Sequence, residues 1–153
     1  MQNRIEDTIF ECVIDTIKSF LVNDMSITID YVKDSIIHDF KDYTASISLS
    51  GKDNFIFIVF IDTKLLKSIY RVFFTQELSK EETSEMMIEL PKEIINTVVG
   101  LSISNFPQEH RELELSVPLD IKRENIENLI LNKYTLSKEI CTEYGNFQCM
   151  LVG

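Results

Sequence analysis

The sequence predicts an α+β fold in which an antiparallel sheet is packed by two long helices, and three observations carry that prediction. Residues 43–50 (YTASISLS) and 112–117 (ELELSV) alternate between apolar and polar side chains, the period-2 pattern of a strand with one buried face. Residues 55–61 (FIFIVFI) are apolar throughout, so that strand should be central or covered by something beyond its own sheet. Residues 4–22 and 89–106 repeat apolar side chains at helical spacing over several turns.

The first helix places Ile5, Ile9, Val13, Ile17 and Phe20 on one stripe, and Asn23 and Asp24 break it. Residues 25–31 then read as a strand, with Met25, Ile27, Ile29 and Tyr31 on its buried face. A charged, irregular connection over 33–42 leads to a hairpin: strand 43–50, turn residues Gly51, Lys52 and Asp53, and the apolar strand 55–61. Asp62 stands as the N-cap of a helix over 63–74 whose inner face is Leu65, Leu66, Ile69 and Phe73. Ser79 and Glu82 have capping-box spacing ahead of the long helix. Pro91 lies inside that helix, where a missing N–H and a clash with the preceding turn predict a kink or a restart.

After Pro107, strand 112–117 turns Leu113, Leu115 and Val117 inward and ends at Pro118. Residues 121–131 fit a short helix or an elaborated loop equally well. The last hairpin, around Gly145 and Asn146, brings Cys141 and Cys149 close together.

At 153 residues the chain is expected to form a single domain over 1–153, with a substantial core. Its net charge of −10 argues against nucleic acid and against an anionic membrane surface, both of which require a basic face. No apolar run approaches the ~20 residues of a spanning helix. The first residues, MQNRIEDTIF, lack the basic start and apolar run of a signal peptide. Three cysteines make an odd count without metal-ligand spacing, so reduced thiols and a cytoplasmic location are expected, with no metal site. His38 and His110 have no partner acids at metal spacing, and no Gly-rich phosphate loop or Ser–His–Asp arrangement is present.

The long helix carries the chemistry. With Glu89 at zero and about 100° per residue, Glu93 falls near +40°, Asn96 near −20° and Gly100 near +20°. The apolar side chains, Leu90, Ile94, Ile95, Val98, Val99 and Leu101 among them, spread over roughly +100° to +320°. The helix is therefore buried on most of its circumference and presents one narrow polar stripe. An acid and an amide stand on it one turn apart, above a glycine that cannot shield them. Burial is expected for Ile94, Ile95, Val98, Leu101, Phe57 and Val59, and exposure for Glu93 and Asn96.

Residues 93–100 (EIINTVVG) match an ExxNxxxG signature; Glu89 precedes it by four residues and Pro118 closes a strand 22 residues after Asn96. In these features the chain resembles the CheX/CheC/FliY family of bacterial chemotaxis phosphatases, and its single motif is closer to CheX than to two-site CheC. The chain departs from the family pattern at Pro91 and in lacking a glycine soon after Pro118, where residues 120–132 stand instead. The resemblance implies a CheC/CheX-like fold and hydrolysis of the aspartyl phosphate on a CheY-type response regulator receiver domain. It implies that Asn96 orients the attacking water and that Glu93 pairs with the receiver's active-site lysine, with Glu89 and Gly100 as contact positions. The divalent ion, of the Mg²⁺ kind, would belong to the receiver, so this chain would need no cofactor. A homodimer is expected from the resemblance and from the doubly apolar strand 55–61. The competing reading is a non-catalytic receiver-binding or scaffold module of the chemotaxis and flagellar system, in which Asn96 is only contact surface.

Overall fold

The computed structural model describes residues 4–35, 43–74 and 78–153. The first apolar stripe forms α1 (Ile5–Ser19), which runs on through one wider turn, Phe20–Asp24. Ile9, Phe10, Val13, Ile14 and Ile17 are buried along it.

Six strands form one antiparallel sheet: β1 (Ile29–Asp34), β2 (Tyr43–Gly51), β3 (Phe55–Ile61), β4 (Leu113–Leu115), β5 (Thr135–Thr142) and β6 (Gly145–Val152). Their order across the sheet is β1-β5-β6-β3-β2-β4. β3 is thus paired on both sides, with Val59 opposite Ala45 on one neighbour and Cys149 on the other. One face of the sheet carries α1, α2 (Thr63–Phe73) and α3 (Lys80–Ser102) over a core that includes Phe57, Val59 and Leu151. On the other face, Ile126 of α4 (Arg123–Ile130) covers Ile58, Phe60, Met150 and Val152. Two covered faces explain why residues 55–61 are apolar at every position. They also remove that strand as a reason for dimerisation, since it is neither an edge nor uncovered.

α3 is the element that positions the site. Its capping box is as the spacing predicts: the Glu82 N–H donates to Ser79 Oγ at 3.1 Å, and the Ser79 N–H to Glu82 Oε1 at 3.4 Å. The helix does not restart at Pro91 but runs unbroken from Lys80 to Ser102, with Pro91 itself buried. Ile94, Ile95, Val98 and Val99 are buried against α1, α2 and strands β2 and β3. Ser102 is buried too, donating to Val98 O and lying 2.8 Å from Thr16 Oγ1 of α1.

Several expectations need correction. The strand expected over 25–31 is displaced to Ile29–Asp34, because Ser26 takes a positive φ of 56° and Ile27 turns in to bond Leu21 O. A bulge between Ile29 and Tyr31 then breaks the alternation, leaving Tyr31 57% exposed. Phe73 is half exposed, although its ring meets Phe20 at a centroid distance of 6.4 Å. Cys141 lies opposite Asn146 and Cys149 opposite Lys138, so the two thiols are offset along the hairpin and point to opposite faces. Leu115 and Val117 are exposed, because β4 is a short edge strand at the end of the sheet. The connection over 33–42 falls largely on 36–42, outside the described residues. No helix among the described residues is long and apolar enough to cross a membrane.

Candidate functional site

Glu93 and Asn96 are both exposed, one turn apart on α3, as the wheel requires. Neither side chain takes part in a hydrogen bond or ion pair with the described residues. The residues between them, Ile94 and Ile95, are 1% and 0% exposed, so the backbone that carries the pair is fixed from beneath. The acid and the amide therefore project from a rigid element with their donors and acceptors free for a partner.

Glu89 stands one turn before Glu93 and is already engaged. Its Oε1 accepts from Lys92 Nζ at 3.1 Å, and the same ammonium lies 3.7 Å from Asp120 Oδ2. These partners, the Glu89 hydrogen bond foremost, hold the Lys92 ammonium above its ordinary pKa. Glu89 and Lys92 have visible i,i+3 spacing, whereas nothing in the sequence marks Asp120 as their neighbour. Asp120 arrives because the chain after β4 runs back along β2: the Ser116 N–H donates to Ser48 O, and Leu119 exchanges both backbone bonds with Ser46. Pro118 lies on this return path and is half-buried.

Gly100 sits on the stripe one turn beyond Asn96. A Cβ there would meet Leu115 Cδ1 at 3.7 Å, ordinary contact, so the glycine leaves the helix surface low rather than relieving a clash. Leu101 corrects the sequence reading: expected buried, it is 60% exposed. The apolar arc of α3 is wider than the surface available to it, since beyond β2 the sheet ends in the three-residue β4.

Among the described residues no group of three or more His, Cys, Asp or Glu side chains is arranged to hold a metal ion. His110 instead pairs through Nδ1 with Asp53 of the β2–β3 turn. A cavity of about 350 Å³ lined by Ser48, Ile56, Leu129, Lys133 and Val152 opens on the α4 side of the sheet and includes neither Glu93 nor Asn96. The stripe is a projecting helical surface that fits a macromolecular partner better than a small molecule.

The fold is shared with solved chemotaxis proteins. A CheC-like superfamily protein from Shewanella sp. PV-4 is similar over 99% of this chain and 98% of its own, with a TM-score of 0.73 at 12% identity. A chemotaxis protein CheX from Desulfovibrio desulfuricans gives a TM-score of 0.71 at 9% identity, over 95% and 99% of the two chains. The CheX chain of a CheX–CheY–BeF₃–Mg²⁺ complex from Borrelia burgdorferi gives 0.73 at 16% identity, over 94% and 96%. At such low identities these likenesses define the class of fold, that of the CheC-like superfamily. No curated protein matches the chain. The family model described as chemotaxis phosphatase CheX matches residues 43–137, more than half of the sequence and all of the acid–amide stripe. The chain belongs to the CheX family of chemotaxis phosphatases.

Proposed function

We propose that this protein hydrolyses the aspartyl phosphate of a CheY-type response regulator receiver domain. The observation that carries the reading is the pair itself: Glu93 and Asn96 exposed, without a partner among the described residues, and one turn apart on a helix anchored by the buried Ile94, Ile95, Val98 and Val99. Two further facts support it. The stripe lies inside the region matched by the CheX family model, and a CheX of the same fold occurs in complex with CheY.

The chemistry follows from the side chains. Hydrolysis requires a water held in line with the scissile P–O bond, and an amide can accept from that water while donating to a phosphoryl oxygen. Asn96, inserted into the receiver's site, orients the water. Glu93 pairs with the receiver's lysine and fixes the register of docking. Glu89, clamped to Lys92, borders the contact, and Gly100 keeps the helix surface low enough for close approach. The divalent ion belongs to the receiver and supplies charge neutralisation at the phosphoryl group. Acting on such a substrate places the protein in the cytoplasm, and we propose that it works there as a single domain and as a homodimer.

The test separates orientation of the water from docking. Asn96→Ala should leave binding to a beryllofluoride-activated receiver nearly intact while hydrolysis falls on the order of 10²-fold or more. Glu93→Ala should weaken both binding and rate, because a charged partner leaves the interface. Phosphate release measured beside a binding titration reads both. Full activity in Asn96→Ala would overturn the mechanism and leave a binding module in its place.

A further inference from the structure

We propose that the cavity beneath the C-terminal end of α4 binds a small amphipathic carboxylate, its apolar part against Ile56, Leu129 and Val152 and its charged end beside Lys133. The site lies on the sheet face opposite α3 and involves neither Glu93 nor Asn96.

The cavity exists because α4 is shorter than the surface it covers. Ile126 closes the second face of the sheet over Ile58, Phe60 and Met150. One row further along the strands, Ile56 stands opposite Ser48 on one side and Val152 on the other, on that same face. α4 ends at Ile130, and the row is left under an opening of about 350 Å³. Ile56 registers the gap, being the one residue of β3 that is not buried. The volume is more than twice the ~150 Å³ that holds benzene in an engineered core cavity, and it lies within the range of small-molecule pockets.

The lining is divided by chemistry. Ile56, Leu129 and Val152 form an apolar floor, with Val152 buried and the other two half-buried. Ser48, Ser50 and Asn54 stand on the β2–β3 side, and none of these side chains has a hydrogen-bond partner among the described residues. The turn after α4 supplies the charge: Asn132 takes a φ of 59°, the Lys133 N–H donates to Ile130 O at 3.1 Å, and Lys133 lines the opening. Lys133 is the one charged side chain among the described lining residues, and no described acid pairs with its ammonium. In a chain of 25 acidic and 15 basic residues, a lining with a cation and no acidic side chain favours an anion. One ammonium with two hydroxyls and an amide matches a single carboxylate, whereas a phosphate dianion calls for a second cation. The floor requires the rest of the molecule to be hydrocarbon, since polar atoms buried there would lack partners.

The experiment follows the methyl signals of Ile, Leu and Val in the full chain by NMR. Sodium octanoate and octylammonium chloride are titrated separately in about 0.15 M salt, where a Debye length near 8 Å leaves only nearby charges to discriminate. Octanoate should shift Ile56, Leu129 and Val152 saturably, with a Kd of about 1 mM or below, and octylammonium should bind about tenfold more weakly. Lys133→Gln should raise the octanoate Kd about two- to fivefold, the worth of one exposed charged contact, without weakening octylammonium. Ser48→Phe fills the cavity with a side chain that strands accept and should abolish octanoate binding. Circular dichroism and thermal midpoints establish that both variants are folded; the head-group comparison and Lys133→Gln decide the outcome if Ser48→Phe does not fold. No saturable shift up to about 10 mM octanoate overturns the site. Equal binding of the two head groups, or an unchanged octanoate Kd in Lys133→Gln, overturns the assignment of a carboxylate. Shifts centred on the exposed Val72 and Leu101 would mark unspecific adsorption and overturn it as well. None of these measurements contains a receiver, so their failure leaves the phosphatase reading standing, and failure of that reading leaves this site standing.

Discussion

At Gly145 the backbone takes a φ of +119°, a conformation closed to ordinary L side chains. A Cβ there would also stand 2.9 Å from Asp62, whose carboxylate accepts the Asn146 N–H at 2.6 Å and ties the β5–β6 turn to the start of α2. Gly145→Ala should therefore cost on the order of 2 kcal/mol in urea unfolding, and the loss should be smaller in an Asp62→Ala background, where one of the two clashes is relieved. The turn was legible from Gly145 and Asn146 alone, but its tether to Asp62 was not, since their separation in sequence carries no pattern. The same division holds at the candidate site. The exposure of Glu93 and Asn96 was readable from a 100° wheel, because helix geometry is local. The exposure of Leu101 was not, because it depends on how far the sheet extends beneath the helix. Residue chemistry follows burial elsewhere too: complete burial pushes the Cys149 thiol far above its ordinary pKa, so it is a packing residue rather than a nucleophile.

Among the elements, α3 and α4 mark the two ends of what periodicity can reveal. α3 announces itself through a capping box and a long apolar arc, and Pro91 interrupts neither. α4 has eight residues and a single fully buried side chain, Ile126, so its sequence fitted a loop as well as a helix. What determines it is tertiary: Ile58, Phe60, Met150 and Val152 form an apolar surface on the second face of the sheet, and Ile126 is the side chain that seals it. Ile126→Ala should lower stability by about 2–4 kcal/mol, the cost of a large cavity under a short helix, measured as a shift of the denaturation midpoint without loss of receiver binding. A change below about 0.5 kcal/mol would mean that α4 is a dispensable cover. β1 teaches the converse lesson. Strict alternation over 25–31 looked like a strand, yet the positive φ at Ser26 and the bulge beyond Ile29 use the first half of that pattern for a turn.

For the whole molecule the remaining question is assembly. The doubly apolar β3 no longer argues for a partner, since α4 covers it. Among the described residues β1 pairs only with β5 and β4 only with β2, so each presents an unpaired outer edge, and such edges invite pairing with a second chain. Light scattering at micromolar concentration should report about twice the monomer mass of 17.8 kDa; the monomer mass would contradict the homodimer. Dimerisation through the β1 edge, at the opposite end of the sheet from β4, would leave the α3 stripe open, so with that geometry receiver binding and self-association should vary independently with protein concentration.

The strand order also has a consequence for how the chain is made. β6, the last of the six strands in sequence, lies between β5 and β3, so the two parts of the sheet meet only through it. α1, the first helix, packs on β5 and β6. During synthesis α1 finds its first distant partner in α3, and the rest of its apolar stripe stays uncovered until β5 and β6 have followed. Local folding cannot bury that stripe early, because the contacts that close the molecule are among the most distant in sequence. The sheet therefore closes late, when β6 enters between β5 and β3, whereas the packing of α1 on α3 needs no part of the last hairpin.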